Sequence, residues 1–582
     1  MKHYTREKNA QIIIALLKAH GIRTVVASPG ATNVSFVGSI QGDSWFQIYS
    51  SVDERSAAYM ACGLAAETGE PVVISCTGAT AARNYFPGLT EAFYRKLPVL
   101  AITSSQPLCR VGHNIPQVTD RSQKPKDAVK LSLALPIVKD DDDFWECEIK
   151  VNQAILELFR KGGGPVHLNL PTQYSQSFDV EKLPACRVLR RFTNATEGPD
   201  IPRGRVGVFV GSHGRWTKET TEALDAFCLA HDGVVMCDHT SGYKGEFGIL
   251  TCLIGGQRGL DHSKFSPDLL IHLGEVTGDY YGLHSTAKEV WRVSLDGEIR
   301  DPLRKLTNVF EMSELDFFSA YAARGAATAQ DYLKACRSHL EHLRSQIPDI
   351  PFSNIWLASR LAHRIPKGSA IHFGILNSLR AWNFFELPDS VDSSSNVGGF
   401  GIDGAMSTLI GASLANPAKL YFGVLGDLAF FYDMNSLGNR HVGNNLRILL
   451  VNNGKGTEFR QYGHHAAHFG DEADTFIAAA GHFGRKSPDI VRHYAGDLGF
   501  EYLCASTKEE VDNMAEGFLT PEIAPKPMLL EVFTDSADES KALELVLTIE
   551  KRPGASAKEM AKNLLGEKSV RAIKSLLGRG KL

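Results

Sequence analysis

The chain has 582 residues, 43% hydrophobic and 22% charged, with 62 Lys and Arg against 66 Asp and Glu. At roughly 150 residues per domain, this length predicts about three or four domains, each able to bury its own core. A net charge of -4 argues against a generic nucleic-acid binder, which carries a basic excess over a whole domain, and no apolar run approaches the roughly 18 residues of a membrane span.

The opening MKHYTREKNAQIIIALLKAHG places charges inside its apolar pattern, as an amphipathic helix does and a signal peptide does not. Next come TVVASPG, PVVISCTG and LPVLAITS, short Val/Ile/Leu runs followed by turns and helical patterns. A second set follows in RVGVFVGSHG, GVVMCD, DLLIHLGE and VWRVSLDGE, and a third in AIHFGI, LYFGVLGD, LRILLVNN and PMLLEVF. Continuous apolar strands alternating with helices predict parallel sheets covered on both faces. The chain therefore reads as α/β, three consecutive doubly wound modules. Linkers are expected in RRFTNATEGPDIPRGR and before QIPDIPFSN, which places the modules at 1–188, 200–345 and 352–546.

The remainder, 547–582, is a basic helical tail; from 551 it carries nine Lys and Arg against two acids. It reads either as a solvated tail docked on the body or as a lid or contact for an anionic partner. The ten cysteines include no CxxC pair, so most are expected to be small core residues in a reduced, cytoplasmic setting.

Chemistry concentrates in two strand ends of the third module, Gly426-Asp427-Leu428 and Asn452-Asn453-Gly454-Lys455, with 26 residues from Asp427 to Asn453. Both turns belong at the carboxyl edge of a parallel sheet, where ligands of doubly wound folds bind. A carboxylate, an amide oxygen and a carbonyl are hard ligands suited to Mg2+ beside a diphosphate. Taken alone, GD and NN are also ordinary turn dipeptides.

GDLAFFYDMNSL followed by ILLVNNGKGTEF resembles the thiamin-diphosphate motif, and its details are similar to the menaquinone-pathway SEPHCHC synthase branch of that superfamily. SNVGGFGIDGAMSTLIGAS at 395–413 and the segment 52–92 around VDERSAAYM resemble the same branch. The resemblance implies Asp427 and Asn453 as Mg2+ ligands, with Lys455 supplying a carbonyl. It implies Glu54 as the carboxyl group that activates the cofactor through N1′ of its aminopyrimidine, with Asp53 free to cap the helix instead. It further implies cofactor contacts from Gly30, Thr77, Asn84, Asn377, Gly399, Ile402, Gly426, Leu428 and Phe459, with Ile402 as the apolar wedge beneath the bent cofactor. His113 and Gln117 fall where relatives place polar groups facing the reacting carbon, and read either as catalytic or as plain loop residues. The run around His464, His465 and His468 reads as substrate contact or polar loop rather than a second metal site. The superfamily also implies a homodimer or homotetramer, with Glu54 acting across a subunit interface from Asp427 and Asn453. No flavin is expected in the central module.

The chain departs from that branch where arginines bind carboxylates. The matching positions hold Thr32, Gln106, Trp382 and Val397. This predicts a more apolar donor pocket and a small 2-oxo acid, pyruvate being favoured, with Arg380, Arg460 or Lys455 available as a relocated cation. The expected reaction is decarboxylation of that acid and transfer of the remaining acyl unit to an unknown acceptor, in sugar, surface-polysaccharide or secondary metabolism. The alternatives are simple decarboxylation, a 2-oxoglutarate-using carboligase like the SEPHCHC synthases, and a non-catalytic structural paralogue. Neither nucleic acid nor membrane is an expected partner.

Overall fold

The computed structural model describes residues 3–461, 463–482 and 487–550. The basic tail from 551 onward, and Tyr462 before the histidine-rich run, lie outside the described residues. The described residues fall into two compact units, one within 3–193 and 296–311, the other within 194–295 and 312–550.

In the first unit, the strands Thr24–Ala27, Gln47–Ser50, Val72–Cys76, Val99–Ser105, Leu131–Ala134 and Val166–Pro171 form one parallel sheet. Taken in chain order they lie as 2-1-3-4-6-5. Successive side chains of a strand point to opposite faces, so the central strands feed two cores. Val25, Val73, Leu100 and Ile102 pack with Ile12, Ile13, Leu16 and Leu17 of the helix Lys8–Ala19. Val26, Ile74 and Ala101 pack on the other face with Ala57, Ala58, Ala61 and Ala65 of the helix Glu54–Thr68. That alanine stripe lets the helix Phe86–Arg95 approach closely: a Cβ at Gly88 would lie 2.4 Å from that of Ala58.

The returning segment of this unit adds the strand Leu306–Glu311, parallel to Arg190–Phe192. Arg160 holds it in place with carboxylates of Glu298 and Glu311, each at 2.9 Å. All ten cysteines are free thiols, and Cys76 is buried at the end of its strand.

The second unit carries two sheets. In the first of them, Val206–Val210, Gly233–Cys237, Gly248–Leu250, Leu269–Leu273 and Glu289–Ser294 lie as 3-2-1-4-5. Folds of this order bind dinucleotides between the first and fourth strands. Here the loops after those strands bond to each other, with Gly211 N–H on Leu273 O at 3.1 Å and Glu275 N–H on Ser212 O at 2.9 Å. A Cβ at Gly211 would lie 2.1 Å from the Glu275 carbonyl, so the chain's own backbone takes that position.

In the other sheet, Ala370–Phe373, Asp392–Ser395, Tyr421–Gly426, Leu446–Asn452, Glu501–Ala505 and Met528–Phe533 are again parallel. They again lie as 2-1-3-4-6-5. The fold is thus α/β, built from parallel sheets flanked by helices. No described helix is long and apolar enough to cross a membrane.

Glu539, on the closing helix Ser536–Leu547, accepts the backbone N–H of Asn354 at 2.9 Å and the Thr534 hydroxyl at 2.8 Å. Burial pushes its pKa up to about 7 despite those bonds. A carboxyl group with a raised folded-state pKa contributes most below its unfolded value, and that contribution is lost as pH rises through the folded one. Glu539→Gln is therefore expected to gain on the wild type by about 2–3 kcal/mol between pH 5 and pH 8, read as the difference in urea-unfolding free energy. A difference independent of pH would refute the burial argument.

Candidate functional site

The third sheet's order reverses between its first and third strands, and the third ends at Gly426. Asp427 follows at once, buried as the first residue of the helix Asp427–Asp433. Its carboxylate accepts the N–H of Leu428 at 2.9 Å. Burial pushes its pKa up to about 6, opposed by N–H groups of Leu428 and Gly454. One strand along, Asn452 ends Leu446–Asn452, and its amide donates to Glu531 at 2.7 Å while its oxygen accepts Gly454 N–H at 3.2 Å. The turn is therefore pinned on both sides, and the next residue, Asn453, keeps a buried Oδ1 with no hydrogen-bond partner.

A buried carboxylate with a raised pKa and an orphaned amide oxygen, brought to one sheet edge, are the donors that a hard divalent cation would satisfy. The Lys455 carbonyl lies two residues on, while its ammonium group is engaged by Asp474 at 2.6 Å. A Cβ at Gly426 or Gly399 would meet nothing within 4 Å, which leaves open backbone beside Asp427 and in the segment before the helix Ala405–Ala415. Ile402 and Leu428 are half-buried, as is Phe459, whose ring meets His464 edge-on at 5.5 Å. Asn377 accepts from Gln461 at 2.9 Å.

The first sheet has its own switch point, between the strands ending at Ala27 and Cys76. The loops there interlock: a Cβ at Gly30 would lie 2.4 Å from that of Thr77, and the Thr32 and Thr77 hydroxyls are 2.5 Å apart. Glu54 opens its helix after the neighbouring strand. Asp53 caps that helix, accepting Arg55 N–H at 2.8 Å and Ser56 N–H at 3.4 Å. Glu54 is thereby left half-buried with a single hydrogen bond, from the Asn84 amide at 3.3 Å. His113 and Gln117 are exposed on the loop after the strand Val99–Ser105. The backbone is left-handed at Asn114 and Gln117, as at Ala79, Leu376 and Phe400.

Two of the expected substrate residues prove to be core. Trp382 has no exposed surface, packs on Phe373 at 5.5 Å between ring centroids and donates to Asn354 at 3.2 Å. Val397 is 2% exposed. Neither side chain lines an open pocket, which corrects the expectation of a donor site made apolar by them. The expected replacement cations are already neutralised: Arg380 by Glu458 at 2.5 Å, and Arg460 by Asp471 at 2.7 Å and Asp474 at 3.2 Å. His464 accepts Ala466 N–H at 3.1 Å and stacks on His465.

Sequence reasoning missed Glu531 and Arg121. A lone acid inside the apolar run PMLLEVF was the available signal for Glu531. Nothing in the polar stretch 117–124 singled out Arg121, whose side chain reaches back to Thr103 and Asn169.

Residues 7–124 match the family described as thiamine pyrophosphate enzyme, N-terminal TPP binding domain. Over its length the chain is similar to proteins named 2-succinyl-5-enolpyruvyl-6-hydroxy-3-cyclohexene-1-carboxylate synthase. The relative from Bacteroides fragilis is 30% identical over 564 residues, covering 93% of this chain and 98% of the relative. That from Phocaeicola vulgatus is 30% identical with the same coverage, and that from Desulfotalea psychrophila is 28% identical over 89% of this chain and 96% of its own.

Asp427→Asn is expected to weaken Mg2+-dependent binding of thiamin diphosphate by about 100-fold or more, with Asn453→Ala nearly as damaging. Fluorescence titration with and without the metal measures this; an unchanged affinity in both variants would exclude the two residues as ligands.

Proposed function

The chain belongs to the thiamine pyrophosphate enzyme family that includes the 2-succinyl-5-enolpyruvyl-6-hydroxy-3-cyclohexene-1-carboxylate synthases, and from that premise we propose a decarboxylating carboligase of the same type. The donor is a 2-oxo acid, with 2-oxoglutarate first in order; the acyl unit left after loss of CO2 is joined to a carbonyl or activated-alkene acceptor. The observation that carries this reading is the pairing of buried Asp427 with the orphaned Asn453 oxygen at one strand edge.

In this reading Asp427, Asn453 and the Lys455 carbonyl would hold Mg2+ for the diphosphate of the cofactor. When bound, thiamin diphosphate would supply a carbon nucleophile and an electron sink for loss of CO2. Glu54 holds a proton at the aminopyrimidine N1′, a task open to it because Asp53 performs the capping. Ile402 props the cofactor from the apolar side, and Gly30, Thr77, Asn84, Asn377, Gly399, Gly426, Leu428 and Phe459 complete its contacts. Exposed His113 and Gln117 stand as groups that meet the substrate once it is bound. The protein works as a homodimer or homotetramer in which Glu54 of one subunit serves the metal-binding residues of another.

A second reading, a small monocarboxylic donor such as pyruvate, is favoured by Thr32 and Gln106 standing where the resembled synthases have arginines. The two separate in one assay: CO2 release with thiamin diphosphate and Mg2+, from 2-oxoglutarate and from pyruvate in turn. Release from 2-oxoglutarate is expected. It should fall by about 100-fold or more in Glu54→Gln with cofactor affinity retained. Release from pyruvate alone would establish the second reading, and no release from either by the loaded protein would sink both.

A further inference from the structure

Arg121 is a part-buried cation without an anion. Its guanidinium donates to Thr103 Oγ1 at 2.8 Å, to Asn169 Oδ1, and to the Ser104 carbonyl at 3.5 Å, all neutral acceptors. No carboxylate among the described residues pairs with it, whereas Arg380, Arg460 and Lys455 each have one. Its charged surroundings are repulsive. Arg83 and Lys124 lie close enough to disfavour the charges of the group, and Lys124 donates its ammonium to the Arg121 carbonyl. Asp120, next in the chain, is exposed and turned to the N–H of Ser122 at 2.9 Å. A cation withdrawn from water without a counter-ion is costly, and such a residue is maintained where an anion arrives from outside.

The space for that anion is adjacent. A cavity of about 220 Å3 at the carboxyl edge of the first sheet is lined by Arg121 together with Ser105, Gln106, Gln117, Thr119 and Asn169. The Ser105 and Thr119 hydroxyls are buried and have no hydrogen-bond partner. The guanidinium also reaches the switch-point loops, its Cζ 3.8 Å from where a Cβ at Gly78 would be. It shares the Ser104 carbonyl with Thr32, whose hydroxyl donates there at 3.2 Å. Arg121 thus stands beside one of the positions from which arginine is missing.

We propose that Arg121 forms a carboxylate subsite in this cavity, which recognises a small dicarboxylate through its planar fork and the unpartnered hydroxyls. This rests on the carboligase reading for its role in catalysis, and it favours a dicarboxylic donor such as 2-oxoglutarate over pyruvate.

The test is succinate binding to the full-length protein by calorimetry, with and without thiamin diphosphate and Mg2+, in wild type, Arg121→Met and Arg121→Lys. The expected result is a dissociation constant raised about tenfold or more in Arg121→Met and partly recovered in Arg121→Lys, with cofactor affinity within about twofold of wild type. Should Arg121→Met fail to melt cooperatively, Arg121→Lys, which keeps the charge and loses the fork, must still weaken succinate binding. No binding by the wild type, equal binding by a folded Arg121→Met, or parallel loss of succinate and cofactor binding would overturn the proposal. Arg121-dependent succinate binding without decarboxylation of any 2-oxo acid would instead refute the reaction and leave the subsite standing. Turnover of 2-oxoglutarate with a KM untouched by Arg121→Met would do the reverse.

Discussion

Parallel strands deliver all their carboxyl ends to one edge, and everything chemical in this protein follows from that constraint. A strand buried on both faces cannot carry polar groups along its length without stranding them. They are displaced to the loops beyond its end, and two sheets of identical order, 2-1-3-4-6-5, each bring such loops together at the reversal of strand order. In the first, Gly30, Thr32 and Thr77 meet at that reversal, with Glu54 one strand away. In the third, Asp427 stands at the reversal and Asn453 follows from the adjoining strand.

Desolvation gives these groups their character. Asp427 is pushed up to about 6 by burial, and Asn453 presents an oxygen without a hydrogen-bond partner among the described residues. The turn between them is held by the bonds of Asn452 to Glu531 and Gly454.

The same distinction sorts the cations. Arg380, Lys455 and Arg460 are each met by an acid of the same sheet's unit. Among the described residues Arg121, in the first module, is met by hydroxyl, amide and carbonyl oxygens only. Its partners orient the guanidinium without neutralising it, and the difference between orientation and neutralisation marks a site for a carboxylate.

The sequence by itself determined the α/β class, the parallel sheets and where the strands end, because apolar runs bounded by turns are local patterns. It also separated Asp53 from Glu54: a helix start needs only one cap, and the cap is decided within three residues. Tertiary structure alone decided what each side chain faces. Trp382 and Val397 read as pocket residues until packing buried them, and Arg380 and Arg460 read as free cations until folding supplied Glu458, Asp471 and Asp474. Arg121 drew no notice in its polar stretch. Its meaning depends on Thr103, Ser104 and Asn169, brought to it by two strands of the sheet, and on the carboxylate that no part of the described chain provides.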